Sequence, residues 1–158
     1  MKRLVLAISL LLSPISSHAN DIAIHLIKNI EKCKTTSYSD GGGHRTIGYG
    51  FKNYKSSSMS CKTAEKILIQ KISEIKKFLD DEIQIKLSRE QKAALISLVY
   101  NIGIPQFSRS ALLKSIKSGN FKSAENQFMQ WSYIKKKHSR GLAKRRQMER
   151  ELFASGEK

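Results

Sequence analysis

Cysteine, proline and tryptophan are scarce in this chain of 158 residues, which contains two, two and one of them. The two cysteines, Cys33 and Cys61, allow one bridge at most. Together with the four histidines they fall at spacings that match no metal ligand set, so neither a metal nor a cofactor is expected. The prolines stand at breaks: Pro14 interrupts an apolar run and Pro105 follows the end of a helical pattern. That run, Leu4 to Leu12, falls well short of the roughly twenty apolar residues needed to cross a bilayer. No internal repeat is present, and Ser56-Ser57-Ser58-Met59-Ser60 is the one low-complexity patch. Gly48-Tyr49-Gly50 lacks the strand-then-helix setting of a phosphate-binding loop.

Acidic side chains are also few, 13 against 29 basic ones, for a net charge of +16. Lys2 and Arg3 precede the apolar run, and Ser17-His18-Ala19 puts small residues where a signal peptidase reads. Residues 1–19 are therefore predicted to be a secretory signal cleaved before Asn20, with periplasmic or secreted destination. Without them 27 basic residues face 13 acidic ones, a charge of +14 that draws the protein to anionic polymers. Cell wall, anionic lipid and nucleic acid all qualify; export argues against genomic nucleic acid as the partner, and the charge does not choose between an anionic cell-wall surface and anionic lipid. Lys135-Lys136-Lys137 and Lys144-Arg145-Arg146 read as solvated charged faces. In an oxidising compartment Cys33 and Cys61 are expected to pair, closing a 28-residue loop worth about 3 kcal/mol, with two unpaired thiols as the alternative.

The most informative pattern is Glu31-x8-Asp40-x5-Thr46, set among glycines and followed by Ile47-Gly48-Tyr49-Gly50. Breaking a glycosidic bond requires one carboxylic acid that protonates the leaving oxygen and one ionised carboxylate that orients water or attacks the sugar. Ile22, Leu26, Ile27 and Ile30 recur at helical spacing before Glu31, so Glu31 is predicted to end an amphipathic helix beside apolar surface, an environment that favours a protonated acid. Asp40 opens Asp40-Gly41-Gly42-Gly43, a polar turn where a carboxylate stays hydrated. From Thr46 to Phe51 apolar and small residues alternate, which predicts a strand with Thr46 on an open face. His44 reads as a turn residue.

Further along, Ala64, Ile67, Leu68, Ile72, Ile75 and Phe78 form the apolar stripe of a long helix from about Lys62 to Phe78. Ser88-Arg89-Glu90-Gln91 has capping-box spacing before an apolar helix that runs to about Asn101. Shorter helices are expected up to Gly119 and over Phe121 to Trp131. A last one spans Arg140 to Phe153, with Leu142, Met148, Leu152 and Phe153 as core contacts. Tyr100 and Asn101, at a helix end beside Gly103, are candidate substrate-binding residues.

The stretch from Ile30 to Gly50 resembles the active-site segment of the phage-type lysozymes (endolysins, glycoside hydrolase family 24). Leu98-Val99-Tyr100-Asn101-Ile102-Gly103, Phe107 through Leu113, and Gly141-Leu142 with Arg145-Arg146 and Glu149 resemble later motifs of that family. The resemblance implies an α+β, mainly α, lysozyme-like two-lobed fold: a small β-hairpin sheet in an N-terminal lobe (about 20–61), a linking helix (about 62–80) and a helical lobe (about 81–158). It implies a muramidase acting on the β-1,4 bond between N-acetylmuramic acid and N-acetylglucosamine of bacterial peptidoglycan, with Glu31 as general acid and Asp40 and Thr46 holding water. It further implies that Arg145, Arg146 and Glu149 stabilise the second lobe; a monomer is expected. Two departures stand out. Lys32 replaces the glycine common after the catalytic Glu, and Ile134-Lys135-Lys136-Lys137-His138 replaces a small-residue loop. Some endolysins keep a leader like residues 1–19 as a releasable anchor. Two other functions fit part of the pattern, a non-catalytic cationic wall-binding or membrane-disrupting protein and a lytic transglycosylase.

Overall fold

The computed structural model describes residues 15–40 and 43–156, with side chains from Ala19 onward. The basic and apolar parts of the expected leader lie outside the described residues. Helix α1 (Ile15–Glu31) runs across the Ala19–Asn20 junction. Its most buried residues, Ala19, Ala23 and Ile27, recur every four residues, and the next position in that series is Glu31. Helical geometry thus brings Glu31 round to the face that packs on the rest of the molecule.

Three short strands follow, β1 (Lys34–Ser39), β2 (Arg45–Gly48) and β3 (Phe51–Lys52), in one antiparallel sheet of order β1-β2-β3. The single strand expected through Phe51 is instead broken at Tyr49–Gly50, where the chain reverses and pairs Ile47 with Phe51. Gly48 and Gly50 make this possible with φ of +66° and +86°, values that side-chain-bearing residues rarely adopt. A Cβ on Gly48 would also lie 2.7 Å from the Phe51 ring.

Helix α2 (Cys61–Glu82) starts at a cap in which the Ser60 hydroxyl accepts the Thr63 N–H. Its buried residues Ala64, Leu68, Ile72, Ile75 and Leu79 follow the expected stripe. Helix α3 (Arg89–Ile102) begins with the capping box foreseen at Ser88 and Gln91. Every residue from Ala93 to Val99 is buried, because α1, α2 and α7 (Arg140–Ser155) all pack on α3. Short helices α4 (Ile104–Phe107), α5 (Ala111–Lys117) and α6 (Phe121–Gln127), a 3₁₀ turn over Phe128–Trp131 and a hairpin of β4 (Tyr133–Ile134) and β5 (Lys137–His138) complete the helical lobe. Phe107, Phe128 and Phe153 are fully buried at its centre. The chain is thus mainly helical with small antiparallel sheets, as expected.

Cys33 and Cys61 are bonded to each other and tie the segment after Glu31 to the start of α2. Breaking the bridge, by reduction or as the double variant Cys33→Ser/Cys61→Ser, should remove about 3 kcal/mol and lower the melting temperature by roughly 6–12 °C. Below that temperature turnover should stay within about tenfold of the oxidised protein. A larger loss of turnover with the fold intact, read by circular dichroism beside the activity assay, would show that the bond shapes the Glu31 site rather than stapling the fold.

Candidate active site

Glu31 ends α1 half-buried, with 19% of its side chain exposed. The cation beside it is not the sequence neighbour. Lys32 has a φ of +50° and an exposed side chain, so it turns the chain out of the helix and leaves the site. Its left-handed backbone is the physical reason a glycine suits this position. The charge partner is Arg145 on α7, whose Nη1 donates to Glu31 Oε1 across 114 residues of sequence. Arg145 Nη2 donates to the Ser97 carbonyl at 3.1 Å and Nε to Glu149 Oε1 at 3.0 Å. The Ser97 hydroxyl donates to the same oxygen at 2.7 Å. Arg146 contributes Nη2 at 3.1 Å from Oε1 and Nε at 2.7 Å from Oε2 of Glu149.

These residues correct the expected surface cluster. Arg145, Arg146 and Glu149 are 4%, 0% and 0% exposed. The buried stripe of α7 is Arg145, Glu149 and Phe153, spaced by four, while Leu142, Met148 and Leu152 are only partly buried. Burial lowers the pKa of Arg146 and the Glu149 carboxylate opposes that shift. Glu31, Arg145, Glu149 and Arg146 therefore form a line of alternating charge that is neutral only when Glu31 is ionised.

The opposite side of Glu31 is built from main chain. A Cβ on Gly50 would come within 2.9 Å of Glu31 Oε2, so the carboxyl lies directly against the β2–β3 turn. That turn is held from the helical lobe by Tyr100 on α3, whose hydroxyl donates to the Tyr49 carbonyl at 2.5 Å. Burial, followed by the negative charge of Glu31, pushes the Tyr100 phenol above its ordinary range and keeps it a donor. Asn101 follows it, half-buried.

Asp40 stands at the β1–β2 turn. His44 donates its backbone N–H to Oδ1 at 2.8 Å, and the Thr46 hydroxyl lies 3.4 Å from Oδ2 and 3.3 Å from the His44 carbonyl. His44 serves the turn through its main chain, as expected. Thr46 is 3% exposed rather than on an open face; its strand is the middle one of three, with Tyr38 and Lys52 as its register partners. Its position remains apt for a hydroxyl that supports a carboxylate.

Two residues stand near this site whose contact with it was not foreseen from the sequence. Arg145 sits in a run of basic residues and gains its role from a distant partner. Tyr38 pairs in register with Thr46 on β1. Its phenol is pushed up by partial burial and then by the charges of Glu31 and Asp40. A broad open cavity bounded by Thr36, Tyr54, Ser58, Met59 and Thr63 contains no carboxylate and cannot supply acid–base chemistry.

Gly50→Ala should force the Glu31 carboxyl away and strain the turn. Any acid–base catalysis by this carboxyl should fall more than about tenfold while a cooperative thermal transition remains. Glu149→Gln would leave Arg145 and Arg146 buried with one counter-charge between them, and should cost about 3–5 kcal/mol in denaturant unfolding. A loss below about 1 kcal/mol would mean that the charges are compensated elsewhere.

Residues 28–149 match the family model described as Phage lysozyme. The chain is 34% identical over 144 residues to an endolysin of Acyrthosiphon pisum secondary endosymbiont phage 1, covering 87% of this chain and 99% of that one. It is 36% identical over 141 residues to an endolysin of Bacillus phage B103; there the match covers 85% of this chain but 53% of the relative, so the chain spans about half its length. Among solved structures, an endolysin from Escherichia coli O157:H7 phage FAHEc1 superposes with a TM-score of 0.73 at 26% identity, over 84% of this chain and 90% of that one. The family match opens three residues before Glu31 and closes on Glu149, so it takes in both carboxylates and the whole charge network. The chain belongs to the phage lysozyme family.

Proposed function

We propose that this protein is an exported muramidase that hydrolyses the β-1,4 bond between N-acetylmuramic acid and N-acetylglucosamine in bacterial peptidoglycan. The observation that carries the proposal is a pair of carboxyl groups in unlike surroundings. Glu31 is half-buried between a guanidinium and a glycine turn, and Asp40 sits on a polar turn beside a hydroxyl. In this mechanism Glu31 is the general acid. In its protonated form Glu31 leaves the buried line one positive charge in excess; Oε2, the oxygen against Gly50, gives its proton to the glycosidic oxygen, and Arg145 at Oε1 stabilises the carboxylate that results. Asp40 accepts a proton from the attacking water. Thr46, donating its own hydrogen toward Asp40, uses an oxygen lone pair to hold that water in place. Water attacking as the leaving group departs inverts the anomeric carbon; direct attack by Asp40 would retain it.

Tyr100 contributes the lobe-to-lobe bond to Tyr49 and a ring at the edge of the site, and Asn101 supplies a hydrogen bond to sugar. A lytic transglycosylase needs the acid but no residue to hold water, so the Asp40–Thr46 pair argues for hydrolysis. The same pair argues against a silent wall-binding protein. The Cys33–Cys61 bond fits an oxidising compartment outside the cytoplasm, in line with a leader in residues 1–19. The protein acts as a monomer on an anionic cell-wall surface.

Glu31→Gln should cut cleavage of purified peptidoglycan at least about a hundredfold, since general acid catalysis is worth about 10²–10⁴-fold. It should also soften the fold measurably, because the amide no longer neutralises Arg145. Mass analysis of wild-type products should show reducing muramic ends. Anhydro ends would overturn hydrolysis in favour of the transglycosylase. A folded Glu31→Gln protein retaining more than about a tenth of the activity would remove Glu31 from the role of acid.

The excess charge generates a further expectation. Cleavage of whole walls should decline as salt rises above about 0.15 M, where the Debye length shrinks below about 8 Å. Cleavage of a short, weakly charged muropeptide should keep most of its rate over the same series. A parallel decline of both substrates would show that salt acts on the site and not on wall attraction.

A further inference from the structure

Between Glu125 and Glu149 the chain holds no acidic residue but seven lysines and arginines. Both flanking acids are engaged inside the protein, Glu125 with Lys122 and Arg150, and Glu149 with Arg145 and Arg146. Arg145 and Arg146 are buried, which leaves Lys135, Lys136, Lys137, Arg140 and Lys144 exposed. Among the described residues none of these five makes an ion pair.

Three of the five lie on the β4–β5 hairpin. Tyr133 pairs with His138 and Ile134 with Lys137, so Lys135 and Lys136 form a two-residue turn, with φ of +47° and +66°. The Ser139 N–H donates to the Ser132 carbonyl at 2.8 Å and closes the base. Such a turn is adopted freely by Asn-Gly and at a cost by lysine, so this chain keeps cationic side chains at the tip against the local backbone preference. The strand beside the tip presents two large apolar side chains to solvent, Tyr133 at 57% and Ile134 at 42% exposed. The Tyr133 ring lies edge-on to His138, with 5.5 Å between centroids.

We propose that this hairpin is a membrane-docking finger whose partner is an anionic lipid surface. Attraction to an anionic polymer needs only the cations. Exposed Tyr and Ile beside a lysine cluster add what a lipid interface selects: an amphipathic ring, an aliphatic side chain and ammonium groups that can reach phosphates. The contact is peripheral, since no described helix is long and apolar enough to cross a membrane.

The test is sedimentation of the full chain with vesicles of phosphatidylcholine alone or with about 30 mol% phosphatidylglycerol, at about 0.15 M salt. The wild type should partition at least about tenfold more strongly onto the anionic vesicles. Lys135→Asn/Lys136→Gly, which gives the turn its preferred residues, should melt no lower than the wild type and bind those vesicles at least about tenfold less. Tyr133→Ser/Ile134→Ser, with every cation kept, should bind at least about fivefold less. Equal binding of the wild type to both vesicle types would overturn the proposal. So would full binding by either folded variant. If the variants keep vesicle binding but lose sedimentation with purified peptidoglycan, the finger is a wall contact and the lipid assignment fails.

Discussion

The ion pair between Glu31 and Arg145 is the constraint around which the molecule is organised. It joins the last residue of α1 to the second turn of α7, with α3 between them supplying the Ser97 carbonyl and hydroxyl. Arg145 and Arg146 are withdrawn from water, and a buried guanidinium is tolerated only with its charge matched and its donors occupied. Glu149 meets part of that demand. Glu31, when ionised, supplies the second counter-charge, so the residue proposed to perform the chemistry also takes part in the charge balance of the helical lobe, while Arg146 Nη1 is buried without a hydrogen-bond partner among the described residues. The proposed catalytic geometry and the docking of the lobes consequently share this residue.

The second element of the site is backbone. Gly50 lets the β2–β3 turn approach the Glu31 carboxyl more closely than any side chain would permit, and Tyr100 secures that turn from the other lobe through the Tyr49 carbonyl. The carboxyl is thus gripped by a charge on one oxygen and confined by main chain near the other. Asp40 is held differently, by a turn N–H and a neighbouring hydroxyl on a short sheet. Two like groups acquire unlike environments because one is delivered by a helix into an interface and the other by a hairpin at the surface. That contrast is what acid–base chemistry on a glycosidic bond requires.

Much of this was legible in the residues. Ser60 and Ser88 cap the helices where hydroxyls precede apolar stripes, since a cap is a local bond between residues three apart. The α2 stripe follows helical periodicity, and the cysteine pair follows from the expectation that the chain's two cysteines meet an oxidising compartment. The glycines signalled a turn near Glu31 but not its direction: alternation from Thr46 to Phe51 reads equally as one strand or as two joined by a reversal. One strand would put Thr46 on an open face; with the reversal β2 becomes the middle strand of three, and Thr46 is buried.

Sequence by itself determined the helices, their caps, the bridge and the order Glu31, Asp40, Thr46, all of them consequences of bonds or periodicities within a few residues. It left open which of 29 basic residues would face Glu31. Lys32 was the neighbour in the chain, yet its left-handed backbone turns it to solvent, and Arg145 arrives from the far end. Only tertiary structure could decide this. A run of Lys and Arg has the same local chemistry in water as in a core, and which members are buried depends on where a counter-charge waits when distant helices meet.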